Sequence, residues 1–340
     1  MKICIYGAGA IGGYLGAKLT EIGADVTLIA RGPHYQAIKQ DGLRLRKDGK
    51  ELVVYPKCVD TAEKAGKQDY IFVTLKAHSV PGCLDAFEVL MKDDTSFVWG
   101  VNGIPWWYFY NHTNPDFKDK KVTSVDPDGS QWDRIGPEKI IGCIVNPASE
   151  VIKPGVIQHL EGDKFQLGEI NGEETDRIKN LSETLEKAGF QAPIRPNIKG
   201  DIWLKLFGNL SLNPISALTT STLVKICSND EVRAVIKNMM NEAHAISQNL
   251  GIDKPFDVER RIDAAKAVGE HKTSMLQDLE RDRPMEIDAL ITSVQELGKI
   301  TNVPTPTIDT VLALTKLRAK EAKLYSVSYT HLTLPTILLV

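Results

Sequence analysis

Cysteine is scarce in this chain: five among 340 residues, at positions 4, 58, 83, 143 and 227, with no CxxC pair. An odd, scattered set excludes a disulfide framework or structural zinc and suits a reducing cytosol. An excess of either charge is lacking too. The 41 Lys and Arg stand against 44 Asp and Glu, a net charge of −3. Electrostatics therefore makes no case for nucleic acid or an anionic membrane as the main partner. No apolar run approaches the length that crosses a bilayer, and the first strand pattern begins at Lys2, leaving no room for a signal peptide. A cytoplasmic location is expected. His78, His159, His244 and His271 form no spaced cluster, so no metal is expected. Internal repeats and low-complexity segments are absent. What remains is ordinary globular composition in a chain long enough for two domains.

The most informative stretch present is Gly7-Ala8-Gly9-Ala10-Ile11-Gly12-Gly13. It follows the apolar run Ile3–Tyr6 and leads into a helical pattern at Tyr14–Leu19. Strand, glycine turn and helix form the opening of a dinucleotide-binding βαβ unit. Gly7 suits the tight turn, Gly9 lets a pyrophosphate approach, and Gly12 lets helix and strand pack closely. The backbone of Gly7, Ala8, Gly9, Ala10, Ile11 and Gly12 is the expected phosphate cradle, aided by the helix dipole.

Further strands are expected at Asp25–Ala30, Tyr70–Leu75 and Phe97–Val101, with a short hairpin pairing Leu43–Arg46 with Leu52–Tyr55 and a helix over Val80–Met91. The continuous apolar character of Tyr70–Leu75 marks a strand buried on both faces. Short strands follow over 140–168, then a helix near Glu173–Gly189 and a strand near Gln191–Arg195. From Ile198 to Lys323 helical periodicity dominates, broken by Pro214, Gly251, Pro255, Pro284 and the Pro304/Pro306 pair. The expected fold is α/β: an N-terminal Rossmann-type doubly wound sheet (1–196) followed by a mostly α-helical C-terminal domain (197–325). Ligands of open α/β sheets bind at the carboxyl ends of the strands, so the cleft should lie between the domains.

Selectivity for NAD usually rests on an acid at the end of the second strand. Here Arg31 stands there and no acid does. A guanidinium there favours a 2′-phosphate by about 1.5–3 kcal/mol, roughly a ten- to hundredfold preference for NADPH. Lys76, ending the Tyr70–Leu75 strand, points toward the cleft, near either the cofactor phosphate or the substrate. In the segment 201–213, Lys205, Asn209 and Asn213 are four apart and share one helical stripe. Spacing alone leaves a solvated face and a polar cleft lining equally open.

Six ordered motifs carry a resemblance. They are Gly7–Gly13, Thr74-Leu75-Lys76-Ala77, Asn102-Gly103, the block from Trp203 to Asn213-Pro214, Thr273–Asp278 and Glu286-Ile287-Asp288. Over roughly residues 1–323 the chain resembles the ketopantoate reductase (2-dehydropantoate 2-reductase) family. The resemblance implies NADPH-dependent reduction of a small 2-oxo acid, 2-dehydropantoate, to pantoate, on the route to pantothenate and coenzyme A; the alternatives are reduction of another small 2-oxo or 3-oxo acid by the same lysine machinery and NADP(H) sensing without turnover. It gives Lys205 the place of the catalytic lysine, a proton donor to the developing alkoxide, and Glu286 that of its acidic partner. Asn209 and Asn213 match ligands of the substrate hydroxyl, Ser274 a residue at the substrate carboxylate, and Asn102 one beside nicotinamide and carbonyl. Without the resemblance, Glu286 reads as a first-turn glutamate of a helix starting near Pro284. A homodimer is compatible with the family.

The chain departs from the family pattern after Asn102-Gly103, where a small glycine-containing turn is replaced by Ile104-Pro105-Trp106-Trp107-Tyr108-Phe109-Tyr110. This aromatic run could narrow the pocket, form a lid or pack at a subunit contact. The segment Val327–Thr336 resembles the conceptual translation of a sequencing adaptor, and 326–340 is expected to be a non-native tail.

Overall fold

The structure, a computed structural model, describes residues 1–325; the tail expectation at 326–340 lies outside them. In chain order the first part gives β1 (Lys2–Tyr6), α1 (Ala10–Glu21), β2 (Asp25–Ile29), α2 (Gly32–Asp41), β3 (Leu43–Lys47), β4 (Lys50–Val54), β5 (Lys57–Val59), α3 (Ala62–Ala65), β6 (Tyr70–Val73), α4 (Leu84–Leu90) and β7 (Ser96–Trp99). It continues with α5 (Ser130–Ile135), β8 (Ile140–Val145), β9 (Ala148–Lys153), β10 (Val156–Glu161), β11 (Phe165–Glu169) and α6 (Asp176–Lys187).

Seven strands make the main sheet in the order β11-β8-β7-β6-β1-β2-β5. All its pairings are parallel except β11 with β8. The chain leaves β1 toward β2 on one side and later returns to β6 on the other, so the switch point lies at β1/β6. Burial on both faces explains the apolar runs. In β1, Ile3 and Ile5 join the core beneath α1 and α6, while Cys4 and Tyr6 join the opposite core with α3 and α4. The β3–β4 hairpin is present and belongs to a second sheet, β4-β3-β10-β9. That small sheet lies against α1, where a side chain on Gly13 would strike Ile157 at 2.7 Å.

The helical part comprises α7 (Ile198–Thr219), α8 (Leu223–Ser228), α9 (Asp230–Asn249), α10 (Val258–Ala267), α11 (Ser274–Glu280), a π-helical turn (Asp288–Thr292), α12 (Ser293–Ile300) and α13 (Pro306–Glu321). Asn197 starts α7, its Oδ1 accepting from the Gly200 N–H at 2.8 Å.

Three sequence expectations are corrected. Pro214 does not break the helix but sits inside α7. It removes one N–H from the ladder, and burial of Leu210, Leu212 and Ile215 holds the helix through it. The helix expected from Val80 begins only at Leu84, because Pro81 and Gly82 confine the preceding residues to 3₁₀ turns. The segment Gln191–Arg195 forms two isolated bridges, Gln191 with Lys164 and Ile194 with Leu167, and no full strand.

The aromatic run is neither a lid nor an outward-facing surface. Ile104, Trp106, Trp107, Tyr108 and Phe109 are each at most 1% exposed within the single chain. Trp106 and Trp107 join the core under the main sheet, while Ile104, Tyr108 and Phe109 join the helical core. The Trp203 indole N–H donates to Tyr108 Oη at 2.8 Å. The run is mortar between the two halves.

Candidate active site

Two recesses lie at the carboxyl ends of the parallel strands. The larger is a groove of about 730 Å³ at the ends of β1 and β2, lined by Tyr6–Gly9, Ile29–Arg31, His34 and, from β9 and its turn, Val151, Lys153 and Pro154. Gly12 is indispensable to its shape. A Cβ there would sit 2.2 Å from the Gly7 carbonyl oxygen and 2.6 Å from Thr74 Oγ1. Gly7 has φ +104°, a backbone region that favours glycine. Gly9 is different: a Cβ there would meet no protein atom within 4 Å. Its bareness serves nothing inside the protein and leaves room at the groove. No side chain caps α1 and no acid occupies its first turn, so the N–H groups at Ala10 and Ile11 stay available to an anion. Exposed Arg31 and Lys153 supply positive charge at the rim. These features fit a dinucleotide.

His34, absent from the sequence reading, braces this turn. Its Nε2 lies 2.7 Å from the Ala8 carbonyl oxygen, and its Nδ1 accepts from the Gly155 N–H at 3.0 Å. That pattern assigns Nε2 as the protonated nitrogen. Burial lowers the pKa of the ring, against a smaller upward pull from the Ala8 carbonyl.

The second recess is narrow, about 20 Å³, and lies where β7, β8 and the loop after β7 meet α7. Its polar lining is Asn102, Lys205 and Asn209. Lys205 Nζ donates to Asn102 Oδ1 at 2.8 Å and to the Val145 carbonyl at 2.6 Å. Burial pushes its pKa down to about 8, helped by the nearby Lys76 charge and opposed by Glu286. Asn209, one turn further along α7, makes no side-chain hydrogen bond among the described residues. Asn213 continues the stripe but is 5% exposed and lines neither recess. Ser274 is exposed at the start of α11 and also lines neither.

Glu286 lies just before the π-helical turn and is 5% exposed. It does not touch Lys205. Its Oε2 accepts from Lys76 Nζ at 3.2 Å and from Asn102 Nδ2 at 3.3 Å, and its Oε1 from the Ala77 N–H at 3.2 Å. Lys76 also donates to Asp278 Oδ2 at 2.8 Å. Lys76 therefore faces two carboxylates of the helical half and does not line the Arg31 groove. Burial pulls its pKa down, but Glu286 and Asp278 outweigh that and raise it. Asp278, 2% exposed and also paired with Arg283 at 2.9 Å, stood inside a quoted motif without a role. Lys153 carried no local signal, since β9 reaches Arg31 only through the fold.

The loop carrying Asn102 is fixed by Gly103, at φ +91°, where a Cβ would lie 2.1 Å from the Ala289 carbonyl oxygen. The Ile104 N–H donates to that same oxygen at 3.0 Å. Among the described residues no group of three or more His, Cys, Asp or Glu could hold a metal ion, and no helix is long and apolar enough to cross a membrane.

A buried lysine lining a narrow recess, in a chain whose first glycine turn opens on a groove that fits a dinucleotide, is compatible with a carbonyl reductase. Comparison with known proteins agrees. The family model for ketopantoate reductase PanE/ApbA matches residues 3–172, and that for its C-terminal part matches residues 197–319. A 2-dehydropantoate 2-reductase of Mesorhizobium japonicum is 53% identical over 327 residues, covering 96% of this chain and 100% of that protein. Among solved structures, a candidate ketopantoate reductase of Ralstonia solanacearum has a TM-score of 0.91 at 37% identity, covering 95% of this chain and 99% of that one. A 2-dehydropantoate 2-reductase of Geobacter metallireducens has a TM-score of 0.82 at 26% identity, covering 93% and 99%. With both halves matched and more than half of its residues shared with one relative, this chain belongs to the ketopantoate reductase family of oxidoreductases.

Proposed function

We propose that the chain reduces 2-dehydropantoate to pantoate with NADPH, residues 1–196 holding the dinucleotide and 197–325 supplying the acid. The observation that carries this reading is the position of Lys205 Nζ, held by Asn102 and the Val145 carbonyl in the recess between the two halves. A bound NADPH supplies the hydride that adds to the ketone carbon. Lys205 stabilises the negative charge that develops on the ketone oxygen and delivers a proton to it, leaving a neutral amine that solvent reprotonates. A pKa of about 8 leaves the side chain mostly charged at neutral pH while making it a stronger acid than a free lysine. Asn102 orients that ammonium by accepting one of its N–H bonds. Asn209 offers its free amide to a substrate hydroxyl.

Glu286 acts on Lys205 through Asn102 and on Lys76 directly. Asn213 and Ser274 fall to the substrate's hydroxyl and carboxylate ends once ligand and cleft come together. Arg31 takes the 2′-phosphate. The reading is tested by mixing the purified chain with NADPH and 2-dehydropantoate and following cofactor oxidation. Rapid turnover, faster than with NADH, is expected. Tight NADPH binding without turnover, or kcat/KM orders of magnitude higher for another 2-oxo acid, would overturn it.

A further inference from the structure

The loop that departs from the family pattern enters the Lys205 recess. Trp107 and Pro105 line it together with Lys205, Asn209, Ile202 and Leu206. Trp107 is 1% exposed, and its ring is backed by β8: a Cβ on Gly142 would lie 3.1 Å from Trp107 Cη2. Its neighbours are fixed as well. Trp106 meets Trp99 edge-on at 5.7 Å, and Tyr108 is tied to Trp203. A bulky side chain held on both flanks has no alternative rotamer to swing into, because close-packed interiors leave no vacant volume for one. The free space beside it is about 20 Å³, so a substrate gains room only from the sides of the recess that Trp107 does not form.

We propose that Trp107 determines substrate size: it forms a rigid wall that admits a compact, branched aliphatic 2-oxo acid and rejects one bearing a flat aryl group at the ketone carbon. The proposal rests on the reductase reading above but concerns the ranking of substrates, not the identity of the best one. A wall acts by steric exclusion, so shortening it should admit the larger acid while loosening the grip on the smaller.

The experiment compares wild type, Trp107→Phe, Trp107→Leu and Trp107→Ala on 2-dehydropantoate, 2-oxo-3-methylbutanoate and phenylglyoxylate with NADPH. Dissociation constants of the same acids, measured by calorimetry with NADP⁺ bound, give a second readout. Trp107→Ala and Trp107→Leu should raise kcat/KM for phenylglyoxylate by at least about tenfold and lower it for the aliphatic acids by a similar factor. Trp107→Phe should preserve the wild-type order. A parallel fall for all three acids, or an unchanged ratio in every variant, overturns the proposal. If Trp107→Ala fails to fold, the Leu and Phe variants decide alone. Should wild type ignore 2-dehydropantoate, the function reading falls, and the ratio of the other two acids, by turnover or by binding, still decides the role of Trp107.

Discussion

Lys205 and Glu286 do not meet; the amide of Asn102 stands between them, its Oδ1 accepting from Lys205 at 2.8 Å and its Nδ2 donating to Glu286 at 3.3 Å. The carboxylate thus fixes which way the amide faces, and the amide fixes where the ammonium points. One consequence is that the acid and its supporting carboxylate can be altered separately.

Lys205→Ala should lower kcat for reduction at least about a hundredfold, the contribution of one positioned general acid, while leaving NADPH affinity nearly unchanged. With the wild-type lysine lowered to about 8, the charged donor is complete below that pH and lost above it. Reduction should therefore fall through pH 8, and oxidation of pantoate, which needs the neutral amine, should rise there. A pH–rate profile in both directions checks the signs; a reduction rate flat to pH 10 would remove Lys205 as the acid.

Glu286→Gln should move that limb to lower pH. Glu286 raises the pKa of Lys205 and of Lys76, so neutralising it makes both lysines easier to deprotonate. The same profile reads the shift. A limb displaced to higher pH would show that the carboxylate works by another route.

Arg31→Ala should weaken NADPH roughly ten- to hundredfold and leave NADH almost untouched. Lys153→Ala, at an exposed lysine lining the same groove, should cost less, since exposed charges are screened. Fluorescence titration with both dinucleotides is sufficient, and equal weakening of the two by Arg31→Ala would refute the phosphate assignment.

Gly9 and Gly12 should respond to alanine in opposite ways. Gly12→Ala drives a methyl against the Gly7 carbonyl and Thr74, so the melting temperature should drop sharply. Gly9→Ala meets no protein atom, so the fold should melt normally while dinucleotide affinity falls. Thermal melts with and without NADPH separate the two. Loss of stability in the Gly9 variant would mean that its openness is not kept for a ligand.

The parts of this site that sequence revealed are those written locally. Gly7–Gly12 sit between a strand and a helix, Arg31 ends the next strand, and Lys205 and Asn209 share one helical face. What stayed hidden depends on chain segments that meet only after folding. His34 finds its partners at Ala8 and Gly155, and Lys76 finds Asp278 in α11. Pro214 misled because intrinsic helix breaking was weighed without the burial that overrides it. The aromatic run after Asn102 was recognisable as unusual, but its division between two cores is a tertiary fact.

Gly103 seats its loop on Ala289, so the strand-end asparagine is moored to the far half of the molecule although β7 belongs to the near one. Parting of the two halves would leave Asn102 with the helical half but would break the bonds that Lys76 and Ala77 make to Glu286 and Asp278, and the bond of Lys205 to the Val145 carbonyl. Each such opening would therefore have to be followed by remaking those bonds, with the Gly103 mooring sparing only the link through Asn102.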